Sequence, residues 1–272
     1  MWLFCLAVSV GLYAKITTPQ DGDKVSGTIA ITEEPSCPLP LYVRIQAKPA
    51  SGSTWITLGK GLSPLTVTYD TTTVPDGDYQ IRSQYWLGWW HNLDSITVTV
   101  DNTPPTIICP GDIQVNNDPG RCNAVVTWDD PTVTDNVGVA SVSCSPPSES
   151  EFPVGVTTVT CIATDLAGNT AECSFTVTVV DAEDPTDPEV TSSTHTVEVW
   201  SNDPDVEIQV TGATDNCGVD GFEYAWDQNP SWTPSHTKMV EETWTGGTFT
   251  ATASGDWYFH LATVDNAGNW TG

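Results

Sequence analysis

The sequence predicts an all-β fold: three β-sandwich domains in tandem, the last lacking its closing strand, with an extra strand at the N-terminus. Three observations carry this expectation. Thr and Val dominate, Pro 20 and Gly 21 are scattered, and no long stretch shows a helical repeat. Short alternating segments recur between turn-forming Asp, Asn, Gly and Pro. Two linkers, "TVTVDNTPPT" (97–106) and "TVVDAEDPTDPEV" (178–190), each follow an alternating strand. Their prolines cannot continue a sheet ladder.

In chain order, residues 1–14 come first. Trp2, Phe4, Leu6, Val8, Val10 and Leu12 alternate with smaller side chains, the pattern of a strand with one buried face. The next residues, "GLYAKITTPQDG", repeat the strand-then-"TTP" grammar of the later "NTPP" linker. Residues 1–14 therefore read as a donor strand, the last strand of a sandwich other than their own. The alternative is a truncated signal-peptide core. That reading lacks a basic leading region and a small-x-small cleavage site, although Ala14 is tolerably placed.

Three immunoglobulin-like modules follow, at 15–102, 103–181 and 182–272, as the strand spacing and turn signals suggest. The first has strands expected near 28–32, 41–47, 54–58, 65–69, 77–86 and 95–100. The third has them near 195–200, 206–210, 221–226, 248–253 and 257–264, and then no closing strand. Trp257, Phe259 and Leu261 lie on its last strand, the expected acceptor for a donated one.

The middle segment carries "CPGDI", "DPGRCNAVVTW", "TDN", "FPVGVTTVTCIATDLAGN" and "CSFTVTVVD", in that order. It resembles the hyalin-repeat (HYR) family throughout its length. The resemblance implies an extracellular immunoglobulin-like module linked to adhesion, with no catalytic residues. The flanking modules are more loosely similar to immunoglobulin-like repeats of prokaryotic surface proteins, through "VPDGDYQIR" and "ATVDNAGN". One departure stands out: HYR modules often continue "TDN" with Cys, and here that position is Val137. The module then holds five cysteines. Cys109 opens its first strand and Cys173 its last, which should run side by side, and Cys144 and Cys161 flank a hairpin. The expected pairs are Cys109 with Cys173 and Cys144 with Cys161. Cys122 is left to reach Cys217 of the third module. Cys217 could instead meet Cys5, Cys37 lacks an obvious mate, and buried free thiols are the alternative.

Composition narrows the function classes. Asp+Glu 35 against Lys+Arg 8 gives a net charge of -27, which excludes a nucleic-acid partner, since phosphate binding needs clustered cations. Eight cysteines without zinc spacing fit an oxidising, extracellular compartment. No segment has the length and apolarity of a membrane span. His91, His195, His236 and His260 are far apart and no nucleophile or phosphate-loop motif occurs, so no enzyme is expected.

Acidic residues cluster at turns and junctions, among them Asp101, Asp135, Asp165, Asp215 and Asp265, and the linker set Asp181, Glu183, Asp184 and Asp187. Calcium takes hard oxygen ligands from such loops, and the linker set is its expected site. The simpler reading is that Asp favours turns by bonding nearby N–H groups. Trp 12 is high, and "YWLGWWHN" gathers Tyr85, Trp86, Trp89 and Trp90 about one turn. Packing is the preferred role, with glycan stacking the rival. Asn269 begins the sequon "NWT".

These readings combine into an extracellular structural subunit that polymerises head-to-tail by donor-strand complementation, its partner being another copy of itself. The alternative is a ligand- or glycan-binding segment of a larger surface adhesin.

Overall fold

A computed structural model describes residues 14–35 and 41–271. The donor strand (Trp2, Phe4, Leu6, Val8, Val10, Leu12), Cys5 and Cys37 lie outside them.

The described residues form strands and one 3-10 turn, Thr71–Thr73, with no α-helix. The strands are β1 Ala14–Thr18, β2 Lys24–Val25, β3 Thr28–Pro35, β4 Tyr42–Pro49, β5 Ile56–Leu62, β6 Leu65–Asp70, β7 Gly77–Trp86 and β8 Trp90–Val100. Then come β9 Thr106–Ile108, β10 Ile113–Asn116, β11 Asn123–Val126, β12 Thr132–Thr134, β13 Val139–Ser145, β14 Ser150–Pro153, β15 Gly155–Asp165 and β16 Thr170–Val180. The last are β17 Glu189–Ser192, β18 Asp205–Thr211, β19 Val219–Asp227, β20 Val240–Glu241, β21 Gly246–Thr250 and β22 Tyr258–Asp265.

The chain divides into two compact units. The first takes the described residues up to Cys109 with Asp130–Ser145 and Thr160–Cys173; the second takes Pro110–Asp129, Pro146–Val159 and Ser174 onward. All the boundaries between the two units fall inside the predicted middle module, 103–181, rather than at its ends.

In the first unit, sheets β1-β3-β6 and β2-β8-β7-β4-β5 face one another. Ile16 and Ile31 from the first sheet meet Ile45, Ile81 and Val98 from the second in one buried core. Period-two alternation decides which side chains enter: Ile96, Val98 and Val100 are buried along β8 while their neighbours face outward. β1 lies where the sequence suggested no strand of this module; it pairs with β3 and buries Ile16. β2 runs parallel to the closing strand β8. The unit also holds the pairs β9-β12 and β13-β15.

The second unit has two cores. Ala124, Val126, Phe152, Phe175, Val177 and Val179 are buried on β11, β14 and β16. Trp128 meets Phe152 and Phe175 edge-on, the arrangement aromatic quadrupoles favour. β10 runs parallel to β16, as β2 does to β8. Sheets β17-β18-β21 and β20-β19-β22 enclose the other core, where Phe249, Phe259 and Leu261 pack on Ile208, Val210 and Phe222. β20 and β22 are the edge strands of their sheet, and Trp270 bridges β22 at Val264.

Two local expectations are corrected. Residues 195–200, expected as a strand, form turns and irregular chain, and β17 lies earlier. The Ser192 hydroxyl accepts the N–H groups of Thr194 and His195, and Glu198 has φ 61, so the chain bends where Val197 and Trp200 stay exposed. The expected acceptor strand begins at Tyr258, leaving Trp257 just before it, with its indole N–H on Ala253 O.

Glu33 is fully buried and accepts the Ser63 hydroxyl. Burial holds its carboxyl above the usual range despite that bond. A raised folded-state pKa contributes stability that is full below the unfolded value and lost as pH rises through the folded one. Glu33→Gln is therefore expected to unfold at higher urea than the parent at pH 7 and to match it below pH about 4. Phe152→Ala should cost about 3–5 kcal/mol in the same assay.

Candidate functional site

The same polar network is built twice. In the first unit it joins Asp101, which follows β8, to the turns "TDNVG" (134–138) and "DLAGN" (165–169). In the second it joins Asp181, which follows β16, to "TDNCG" (214–218) and "DNAGN" (265–269).

Each part has a counterpart. Asp165 Oδ1 accepts the N–H groups of Ala167 and Asn169, and its Oδ2 accepts Asn169 Nδ2 at 2.7 Å. Asp265 does the same with Ala267 and Asn269. Asn169 Nδ2 also donates to Asp101 O, and Asn269 Nδ2 to Asp181 O. Asp101 Oδ1 accepts Thr103 N–H and Asn136 Nδ2; Asp181 Oδ1 accepts Glu183 N–H and Asn216 Nδ2. Asp135 Oδ1 accepts Val137 N–H, and Asp215 Oδ1 accepts Cys217 N–H. The tight turn after Asp165 or Asp265 needs left-handed backbone, and Gly168 and Gly268 supply it at φ 93 and 92.

These carboxylates are out of water: Asp101 is 0% exposed, Asp165 2%, Asp181 3% and Asp265 1%. Oxygens of Asp101, Asp135 and Asp165 lie within 4.8 Å of one another. A second group within that distance comprises Asp181, Asp215 and Cys217. Asp101 Oδ2, Asp135 Oδ2 and Asp181 Oδ2 are buried without a hydrogen-bond partner. Burial raises the Asp101 carboxyl above its ordinary value, and the charges of Asp135 and Asp165 push the same way. Asp215 is raised by burial and by Asp265 and Asp181. Among the described residues, no ion pair reaches any of these acids.

The flanks differ. At the first network the linker is tied to its own module: Asp76 accepts Asn102 N–H and the Thr103 hydroxyl, and Asn102 Nδ2 donates to Thr71 O. The Asp76 carboxyl is held below its usual range, first by Thr103. At the second, Ala182 N–H donates to Asn117 Oδ1, Gly120 N–H to Glu183 Oε1 and Asn216 Nδ2 to Arg121 O. A Cys122–Cys217 disulfide closes it. Val137 stands where Cys217 does, so the first network has no such bond. The other disulfides are Cys109–Cys173 and Cys144–Cys161, the remaining pairs named from the sequence. Cys144 sits directly opposite Cys161 in the β13–β15 register.

Of the expected linker set, Asp181 alone joins a carboxylate group. Glu183 turns to Gly120 N–H, and Asp184 and Asp187 are exposed. Each of those two precedes a proline, which biases it toward extended backbone and away from a chelating loop. Asn269, the expected sequon residue, points inward. Its Nδ2, the atom a glycan would occupy, donates to Asp181 O, Glu183 O and Asp265 Oδ2, and Thr271 is buried. The folded chain does not present this sequon. The grouping of the other acids was missed because partners 30 or more residues apart meet only in the fold. The repeated "TDN" and "AGN" strings were the available signal.

The aromatic turn is a second surface feature. Gly88, at φ 78, turns the β7–β8 hairpin. Trp86 and Trp90 meet edge-on, the Arg44 guanidinium lies 4.2 Å from the Trp90 ring, and Trp89 is 67% exposed. Trp244 instead packs into the core of the second unit, stacked on Tyr224.

The fold and these junctions define a modular, disulfide-stapled β protein. Residues 100–179 match the HYR domain family. Hyalin of Strongylocentrotus purpuratus is 38% identical over 136 residues, 47% of this chain and 11% of that protein. Hyalin of Lytechinus variegatus is 38% identical over 129 residues, 45% of this chain and 24% of that protein. The Sushi, von Willebrand factor type A, EGF and pentraxin domain-containing protein 1 of Rattus norvegicus is 38% identical over 101 residues, 36% of this chain and 3% of that protein. The chain thus spans a small part of these relatives. Among solved structures, protocadherin gamma B7 cadherin domains 1–4 align over 94% of this chain and 73% of theirs, at 8% identity and TM-score 0.29. An endo-β-1,4-mannanase of Thermotoga petrophila aligns over 36% of this chain and 21% of its own, at 18% identity and TM-score 0.27.

Asn169→Ala would leave Asp165 Oδ2 and Asp101 O without a shared donor. Stranding buried acceptors costs about 1–3 kcal/mol. Asn269→Ala should cost a similar amount, read as a lower unfolding midpoint, and should change the intact mass only by the side-chain difference, with no glycan lost.

Proposed function

We propose that this chain is part of an extracellular, modular, adhesion-related structural protein. It comprises three immunoglobulin-like sandwiches in tandem, 15–102, 103–181 and 182–272, and has no catalytic role. The observation that carries the reading is the repeated junction: Asp101/Asn136/Asn169 and Asp181/Asn216/Asn269 lock each linker to the module that follows it. A chain whose task is mechanical continuity needs its linkers held in this way, because an unclamped linker lets neighbouring domains move. Similarity to hyalin and to a Sushi- and EGF-containing protein supports the extracellular, adhesive setting. The three disulfides among the described residues fit an oxidising compartment. Among the described residues no helix is long and apolar enough to cross a membrane.

Within that reading the finer proposal is head-to-tail assembly, residues 2–13 of one copy adding beside β22 of the preceding one. Support comes from β22 lying at a sheet edge, whereas β15 lies between β13 and β16. Main-chain pairing with an exposed edge is a general route to assembly. The rival, a glycan-binding adhesin segment, draws on the exposed Trp86 and Trp89.

Sedimentation and electron microscopy at micromolar concentration separate them. Assembly predicts oligomers or filaments from the full chain and monomers after deletion of residues 2–13. Uniform filaments from the deleted chain contradict strand donation. A monomeric full chain retained on a polysaccharide column, and released by Trp89→Ala, supports the rival.

A further inference from the structure

We propose that each junction binds one calcium ion, the first through Asp101, Asp135 and Asp165 and the second through Asp181, Asp215 and Asp265. The inference does not depend on the adhesive reading.

Clustered acids alone do not make a site. What points to a cation is how these acids are held. Backbone N–H groups and Asn amides occupy Oδ1 of Asp101, Asp135, Asp181 and Asp215. Oδ2 of Asp101 and of Asp181 is left buried and unpartnered, on side chains 0% and 3% exposed, and Asp135 Oδ2 is unpartnered as well. An acceptor in that position needs a proton donor or a metal. The structure offers it more acceptors instead: the oxygens of Asp135 and Asp165 come within 4.8 Å of those of Asp101. Uncompensated carboxylates brought this close out of water repel and lose hydration. Among the described residues, no ion pair reaches these acids. Arg44 lies over Trp90, Arg82 over Trp55, Arg121 on Glu151 and Lys238 on Asp220.

The donor set selects the metal class. All the free atoms are oxygens. The one nearby sulfur, Cys217 Sγ, is bound in a disulfide and is no thiolate. Hard carboxylates without histidine suit calcium rather than zinc or copper. Two ligands of one calcium ion, each at about 2.3–2.6 Å, can be at most about 5 Å apart, which Asp101, Asp135 and Asp165 satisfy at the first junction and Asp181 and Asp215 at the second; Asp265 stands beside Asp215, whose carboxyl its charge raises. Asn169 and Asn269, bonded to Asp165 Oδ2 and Asp265 Oδ2, are the outer partners that orient such ligands. At the second junction Asn216 Oδ1 is also unpartnered and can contribute an amide oxygen. The repetition is itself an argument: a chance orphan oxygen would not recur on the corresponding residue with the same partners.

Calorimetric titration of the chelator-stripped chain with calcium chloride tests this. Two calcium ions per chain and a raised unfolding temperature are expected. Asp101→Asn and Asp181→Asn should each bind one ion, and the double variant none. In chelator the variants should melt at or above the parent, since each loses a buried charge. Hydrogen exchange on the unmodified chain gives an independent reading, with calcium slowing exchange at 135–138, 165–169, 215–218 and 265–269. Three results overturn the proposal: no heat and no thermal shift up to about 10 mM calcium, well above the ~10⁻⁴–10⁻³ M typical of extracellular modules; two ions retained in the double variant; or calcium-dependent protection confined to other segments.

Discussion

Buried carboxylates at the ends of closing strands govern this molecule. A strand such as β8 or β16 delivers an apolar run into the core and then an Asp, Asp101 or Asp181, to the start of the linker that follows it. Taking that charge out of water is unfavourable unless N–H groups meet it. Turns further along the chain supply the amide of Asn136 or Asn216 to the carboxylate and that of Asn169 or Asn269 to the main-chain carbonyl. The linker is held because its Asp has few other ways to satisfy its oxygens.

The two junctions are built alike but reinforced differently. The first leans on the preceding module, where Asp76 and Thr71 hold Asn102 and Thr103. The second leans on the loop around Gly120, with Glu183, Asn117 and the Cys122–Cys217 bond. A disulfide linking residues 95 apart restricts the unfolded chain strongly in the loop-entropy account. Val137 in place of Cys marks the junction that does without it.

Much of the fold was legible because strands write a period of two. β7, Gly77–Trp86, lies where alternation placed it, and the disulfide partners followed from which strands must lie side by side. What alternation cannot see is a bend made by side chains: at 195–200 an apolar–polar pattern persists, yet the Ser192 hydroxyl captures two backbone N–H groups and ends the strand. The junctions were legible only as fragments. Each acid looked like a turn former, which it is, since Asp135, Asp165, Asp215 and Asp265 all accept N–H groups two residues on. The acidic run 181–187 drew attention by density, whereas the fold chooses one acid from it and matches it with others far along the chain. Asn269 read as a sequon because the motif is local, while its amide is engaged by the preceding linker.

A high-resolution crystal structure grown in calcium chloride tests the central claim most directly, that the junction carboxylates are oriented by amides toward a shared cation. The account predicts one anomalous peak among Asp101, Asp135 and Asp165 and a second among Asp181, Asp215 and Asp265, with both Asn clamps in place. Asp101 and Asp181 turned out to solvent, with the Asn169 and Asn269 amides released from the linkers, would contradict it.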